Sequence, residues 1–123
     1  MTRQQFKQLT ASKRLILDGA TGSCLLAAGM PRGVCPEQWI LKHPEILVRL
    51  QTAYLDSGTD ILYAPTFSGN RVKLAEYGLS DRVRQMNHGL VALSKQAVSR
   101  AGREGSDFVA ADLTMTGKQL API

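Results

Sequence analysis

Asp18 closes a short apolar run, Leu15, Ile16 and Leu17, and is followed at once by Gly19, Ala20, Thr21 and Gly22. The run has no polar alternation, so both of its faces expect cover, as in a buried parallel strand. The acid therefore stands where a strand gives way to a loop of small residues. Ligands of α/β proteins gather at that end of parallel strands, where loops offer backbone N–H groups and helix N-termini. Asp18 is the first functional candidate, and a turn-closing role beside Gly19 is its plainer alternative. The other chemistry-bearing side chains are isolated. Cys24 and Cys35 lie eleven positions apart, which is neither a disulfide framework nor a metal-ligand spacing. His43 precedes Pro44 and suits a helix cap, and His88 falls beside Met86 and Leu90 on a helical stripe; neither has a partner ligand at a useful spacing.

Composition narrows the class. A chain of 123 residues with 44% hydrophobic and 20% charged residues is of single-domain size and globular composition. No apolar run approaches the length of a membrane span, and the opening MTRQQFKQLTASK lacks the apolar centre of a secretory signal. The protein is therefore expected to be cytoplasmic, with no membrane partner. The net charge of +5 raises nucleic acid as a partner, but the cations are scattered from Arg3 to Lys118. A solvated surface is the expected reading, with no nucleic acid bound.

The elements that must position Asp18 follow from spacing. Leu47, Leu50 and Tyr54 predict a helix over 43–58, opened by Pro44 and closed by Gly58. ILYAPTF, 61–67, predicts a second strand and its exit, because Pro65 cannot donate to a ladder. A short helix is expected over 70–78. A long one follows, with Ser80 as its N-cap, Gly102 as its stop and Val83, Met86, Leu90, Leu93, Ala97 and Ala101 along one face. DFVAADL, 107–113, predicts a third strand. Strands alternating with helices predict the α/β class with parallel strands.

With these elements placed, several stretches match in order: LDGATGS at 17–23, CPEQW at 35–39, HPE at 43–45, SGTDI at 57–61, TFSGNR at 66–71, EYGL at 76–79 and TGK at 116–118. Together they resemble the N-terminal part of the homocysteine S-methyltransferase family, which includes the homocysteine-binding module of cobalamin-dependent methionine synthase. The resemblance implies an eight-stranded (β/α) TIM barrel, for which about 250 residues is typical. Residues 1–123 then form the truncated N-terminal part of that barrel, its first three strands with their helices. Such a fragment is expected to be inactive alone, with open sheet edges through which it can self-associate.

The implied activity is methyl transfer to the homocysteine thiolate to form methionine, with zinc holding the sulfur as an anion. The family's zinc thiolates lie in parts of the barrel absent from this sequence, and neither Cys24 nor Cys35 matches them. Cobalamin, methylated sulfur compounds and betaine all stay open as methyl sources. The residues present are expected to hold the amino-acid end of homocysteine. Asp18 pairs with its ammonium group, and Gly19, Ala20 and Thr21 bring backbone N–H groups to its carboxylate. Thr66, Phe67 and Asn70 form a second patch on the same rim, with helix capping as their plainer role. Glu37 and Trp39 look like structural cover. Two departures from the family pattern stand out: Pro65 where Asn is usual before Thr-Phe, and Thr114-Met115 where Gly-Pro is usual.

Overall fold

The computed structural model describes residues 1–119; residues 120–123 of the expected unit lie outside the described residues. Helix α1 (Arg3–Ser12) comes first, followed by α2 (Gly22–Ala27), α3 (Pro36–Lys42) and α4 (Pro44–Asp56). Strand β1 (Ile61–Ala64), α5 (Arg71–Ala75), a 3-10 turn (Ser80–Arg82), α6 (Val83–Arg100) and strand β2 (Phe108–Ala111) complete the order. The α/β class holds. β1 and β2 pair in parallel, with Ile61 opposite Phe108 and Ala64 opposite Ala111.

The first expected strand is the main correction. Leu17 forms only an isolated parallel bridge to Ile61, so the sheet has two strands and an extended flank rather than three strands. The flank is nevertheless in register: Ile16 O accepts from Ile61 N at 3.1 Å, and Asp18 N donates to Ile61 O at 3.1 Å. The next rung should run from Tyr63 N to the Asp18 carbonyl, but the Asp18 carboxylate takes that N–H instead, at 3.0 Å. A side chain thus ends the ladder. The expected burial fails as well, since Ile16 is 57% and Leu17 47% exposed.

β1 stops at Ala64, where Pro65 has no N–H to continue, and the expected range to residue 67 becomes a turn closed by Thr66 N on Ala64 O at 2.7 Å. β2 is also shorter than the 107–113 expected, ending at Ala111. α4 is bounded as its punctuation suggests, with Pro44 at its start and Gly58 in a left-handed conformation just beyond, φ 102°. His43 stands at the cap position but makes no capping bond; its ring stacks on Trp39 at 4.3 Å, and its Nδ1 lies 2.9 Å from Trp39 O. α5 is confined to Arg71–Ala75, and Ser80 opens the 3-10 turn rather than capping α6.

Packing explains which helices matter. In a parallel pair, opposed residues share a face, so Leu62 and Val109 point together. They meet Val48 and Leu55 of α4 and Ala97 and Val98 of α6. Leu25, Ile40, Leu47 and Leu90 form a second cluster that seats α2 and α3, and Cys35, Leu74 and Met86 a third under α5. Gly89, a weak residue for a helix interior, allows α6 to approach α3: a Cβ there would stand 2.9 Å from Leu41 Cδ2. The other sheet face carries buried Ile61 together with Leu17 and Tyr63, which are 47% and 39% exposed. Among the described residues no helix is long and apolar enough to cross a membrane.

The flank is tied down by charge. Asp60 accepts from Lys13 Nζ at 2.6 Å and from Ile16 N at 2.8 Å, and these donors, Lys13 first, hold its carboxyl below the ordinary range. A depressed carboxyl stabilises the fold above its unfolded pKa and loses that contribution as pH falls through the folded value. Replacing Asp60 with Ala should lower the unfolding free energy by about 1–2 kcal/mol at about pH 7, given the half-exposed lysine. Urea denaturation should show that difference shrinking as pH is lowered below the ordinary aspartate range.

Candidate functional site

The C-terminal tips of the flank, β1 and β2 surround a cavity of about 540 Å³. Asp18 and Gly19 come from the first tip, Pro65, Phe67 and Ser68 from the second, and Asp112 from the third, with Leu25, Glu37 and Ile40 as a helical wall. The cavity is lined mainly by apolar groups and holds three carboxylates, Asp18, Glu37 and Asp112, without a lysine, arginine or histidine. Such a wall favours a cationic group on an otherwise apolar ligand.

Asp18 is half-buried, and one carboxylate oxygen is committed to Tyr63 N. Burial pushes its pKa up, the Tyr63 and Asp18 backbone N–H groups pull it down, and the charge on Asp112 pushes it up again. Gly19 is required by close approach: a Cβ there would sit 2.9 Å from the Tyr54 hydroxyl. That hydroxyl donates to Ala20 O at 2.9 Å, which fixes the loop. Thr21 opens α2 without a side-chain cap bond and lines the cavity.

The second loop is held at every residue. Thr66 Oγ1 donates to Asp112 O at 2.9 Å and accepts from Asp112 N at 3.0 Å, so the exits of β1 and β2 are stitched together. Ser68 N donates to Glu37 at 2.8 Å, and Asn87 Nδ2 donates to Gly69 O at 2.6 Å. Asn70 caps α5, its Oδ1 accepting from Lys73 N at 2.9 Å. Of the residues singled out from sequence, Asp18, Gly19, Thr21 and Phe67 line the cavity together. Ala20, Thr66 and Asn70 do not; the last two line a smaller cavity of about 260 Å³ behind the loop.

Three wall residues escaped the sequence reading. Asp112 is an acid just beyond a strand, the same signal that marked Asp18. Tyr63 lies within the β1 run, where an aromatic reads as core. Glu37, expected only as structural cover, is 2% exposed and accepts from Ser68 N and from Cys35 Sγ, the latter at 3.4 Å. Burial of Cys35, with the Glu37 charge as a smaller contribution, pushes its thiol pKa up, which makes it a poor metal ligand or nucleophile. Among the described residues no three His, Cys, Asp or Glu side chains are placed to hold a metal ion. The residues present do not fit zinc, and no step is assigned to it here.

A sequence profile described as homocysteine S-methyltransferase matches residues 15–122. The chain belongs to the homocysteine S-methyltransferase family. Among the relatives of this chain, a methionine synthase of Mycobacterium tuberculosis (strain ATCC 25618 / H37Rv) is 29% identical over 98 residues, 74% of this chain. The metallated form of the homocysteine methyltransferase MmuM from Escherichia coli superimposes with a TM-score of 0.70 over 86% of this chain, at 20% identity. Its oxidized form gives 0.69 over 84%, at 21% identity. At that identity the likeness speaks for the fold. The chain spans 40% and 38% of those two structures and 8% of the methionine synthase.

Two variants test the site's construction. Glu37→Ala leaves the half-buried Ser68 N–H without its buried acceptor and should cost about 1–2 kcal/mol in urea denaturation, with Glu37→Gln costing about half as much. Asp18 behaves in the opposite sense, because a raised carboxyl pKa stabilises below its unfolded value and loses that contribution as pH rises through the folded one. Asp18→Asn should therefore match or exceed the wild-type melting temperature at about pH 7, an advantage that disappears below about pH 4.

Proposed function

We propose that this chain is the opening part of a homocysteine-binding (β/α) barrel, and that the complete protein transfers a methyl group to the homocysteine thiolate to form methionine. The observation that carries the reading is the shared cavity, in which the tips of successive parallel segments bring Asp18, Phe67 and Asp112 together. Membership of the family and the parallel order of the segments support it.

Asp18 keeps one oxygen free of the Tyr63 bond, and that oxygen pairs with the substrate ammonium. Asp112, across the same cavity, adds to the negative potential felt there. The small-residue turn from Gly19 to Gly22 lets backbone approach the α-carboxylate. Leu25, Ile40 and Phe67 offer apolar contact to the methylene chain. A thiol with a pKa near ~8.5 is mostly protonated at neutral pH, so its activation needs a group beyond those described here. In the family reading zinc supplies it, held by thiolates elsewhere in the barrel.

A second reading, a non-catalytic amino-acid-binding or self-associating piece, rests on one observation: Leu17 and Tyr63 on one sheet face are 47% and 39% exposed, an apolar surface that a second chain could cover. Because both readings admit amino-acid binding, methylation of homocysteine by the complete protein separates them, and calorimetry on this chain tests the Asp18 contact. Homocysteine should bind the chain, and Asp18→Ala should weaken binding about tenfold or more, the effect of removing a paired charge. Undetectable binding would overturn the first reading. Concentration-dependent mass in sedimentation would favour the second.

A further inference from the structure

Beyond Asp18 the register of the flank calls for backbone bonds from Tyr63 N to Asp18 O, from Ala20 N to Tyr63 O and from the N–H of residue 65 to Ala20 O. A side chain stands in for each of them. The Asp18 carboxylate takes Tyr63 N at 3.0 Å. Gln51 Nε2 donates to Tyr63 O at 2.8 Å. Pro65 has no N–H to offer, and the Tyr54 hydroxyl donates to Ala20 O instead, at 2.9 Å.

Gln51 and Tyr54 stand about one helical turn apart on α4 and share a face. Gln51 is fully buried, and because Tyr63 O needs a donor its amide nitrogen must point there, which leaves Oε1 without a partner among the described residues. A leucine at this place would fill the space without stranding an oxygen. What a leucine lacks is the donor. With Tyr63 O occupied, Ala20 N–H has no place in the sheet, and among the described residues it meets no backbone acceptor. The chain therefore leaves the edge of β1 after Asp18, and Gly19, Thr21 and Gly22 line the main cavity.

We propose that Gln51 is a positioning residue for the ligand-holding loop: its amide occupies Tyr63 O and so keeps residues 19–22 off the edge of β1 and on the wall of the cavity. What that loop binds rests on the homocysteine reading above. Without the Gln51 donor, Ala20 N–H is the group that the register brings to Tyr63 O. Pairing there adds a rung to the flank and draws the turn from Gly19 to Gly22 toward the sheet.

Amide hydrogen exchange on the full chain tests this. In wild type the Ala20 amide should exchange at least about tenfold faster than the Asp18 amide, which is bonded to Ile61 O. Gln51→Met, of similar length without the donor, and Gln51→Leu should each slow Ala20 exchange at least about tenfold, while other amides exchange as fast as before or faster. Loss of a purely structural contact acts in the opposite sense and speeds exchange at Ala20 with the rest. Calorimetry should show both variants binding homocysteine about fivefold or more weakly. Ala20 exchange as slow as that of Asp18 in wild type, or Ala20 exchange that does not slow in whichever variant folds, overturns the proposal. Slowed exchange with unchanged homocysteine affinity overturns the loop's part in binding. If wild type binds no homocysteine, the homocysteine reading falls, while Ala20 exchange still decides whether Gln51 holds the loop off β1.

Discussion

The bond from Tyr63 N to the Asp18 carboxylate is the constraint on which the rest of the site depends. In a parallel ladder that N–H belongs to a backbone carbonyl, and the flank is in register to supply one. By giving its side chain instead, Asp18 ends sheet formation at that rung and stays at the tip, turned toward the space between the strands. The carboxylate is then half in and half out of the protein, one oxygen structural and the other available. Burial raises its pKa, so the position costs stability that a neutral amide would not. A cost of that kind is characteristic of residues retained for binding.

Around that fixed point the remaining walls are assembled by side chains that reach backbone. Thr66 joins the exits of β1 and β2, Glu37 brings α3 to the loop, and Tyr54 fixes the turn after Asp18 from the side of α4. None of these bonds lies within a single helix or strand. Each uses a side-chain polar group to satisfy a loop N–H or carbonyl that regular structure leaves open. The loops are thereby as determined as the strands they follow.

Much of this was legible in the sequence. The stripe from Val83 to Ala101 marked α6 because period and length leave little choice, and Met86, Leu90 and Ala97 are indeed fully buried. Pro65 marked the end of β1 because a missing N–H acts locally. Asp18 was legible as an acid at a strand exit. What was not legible depended on distant partners. Leu15–Leu17 looks like a buried strand, yet its ladder is cut short by a carboxylate and its faces lie partly open. Helix α3 hid behind the CPEQW turn because a helix of 7 residues has too few positions to display a period. Glu37 read as structural cover, but a lone acid gives no sign of the N–H it will meet at Ser68.

The separations across which these contacts form carry a consequence for how the molecule comes into being. Asp18 meets Tyr63 over 45 positions and Thr66 meets Asp112 over 46. Closing such loops costs chain entropy before any contact repays it, whereas α4 and α6 can begin locally. The binding rim is thus a late product of folding. A nascent chain can form its helices first, and the corner around the main cavity only after β2 has left the ribosome and docked.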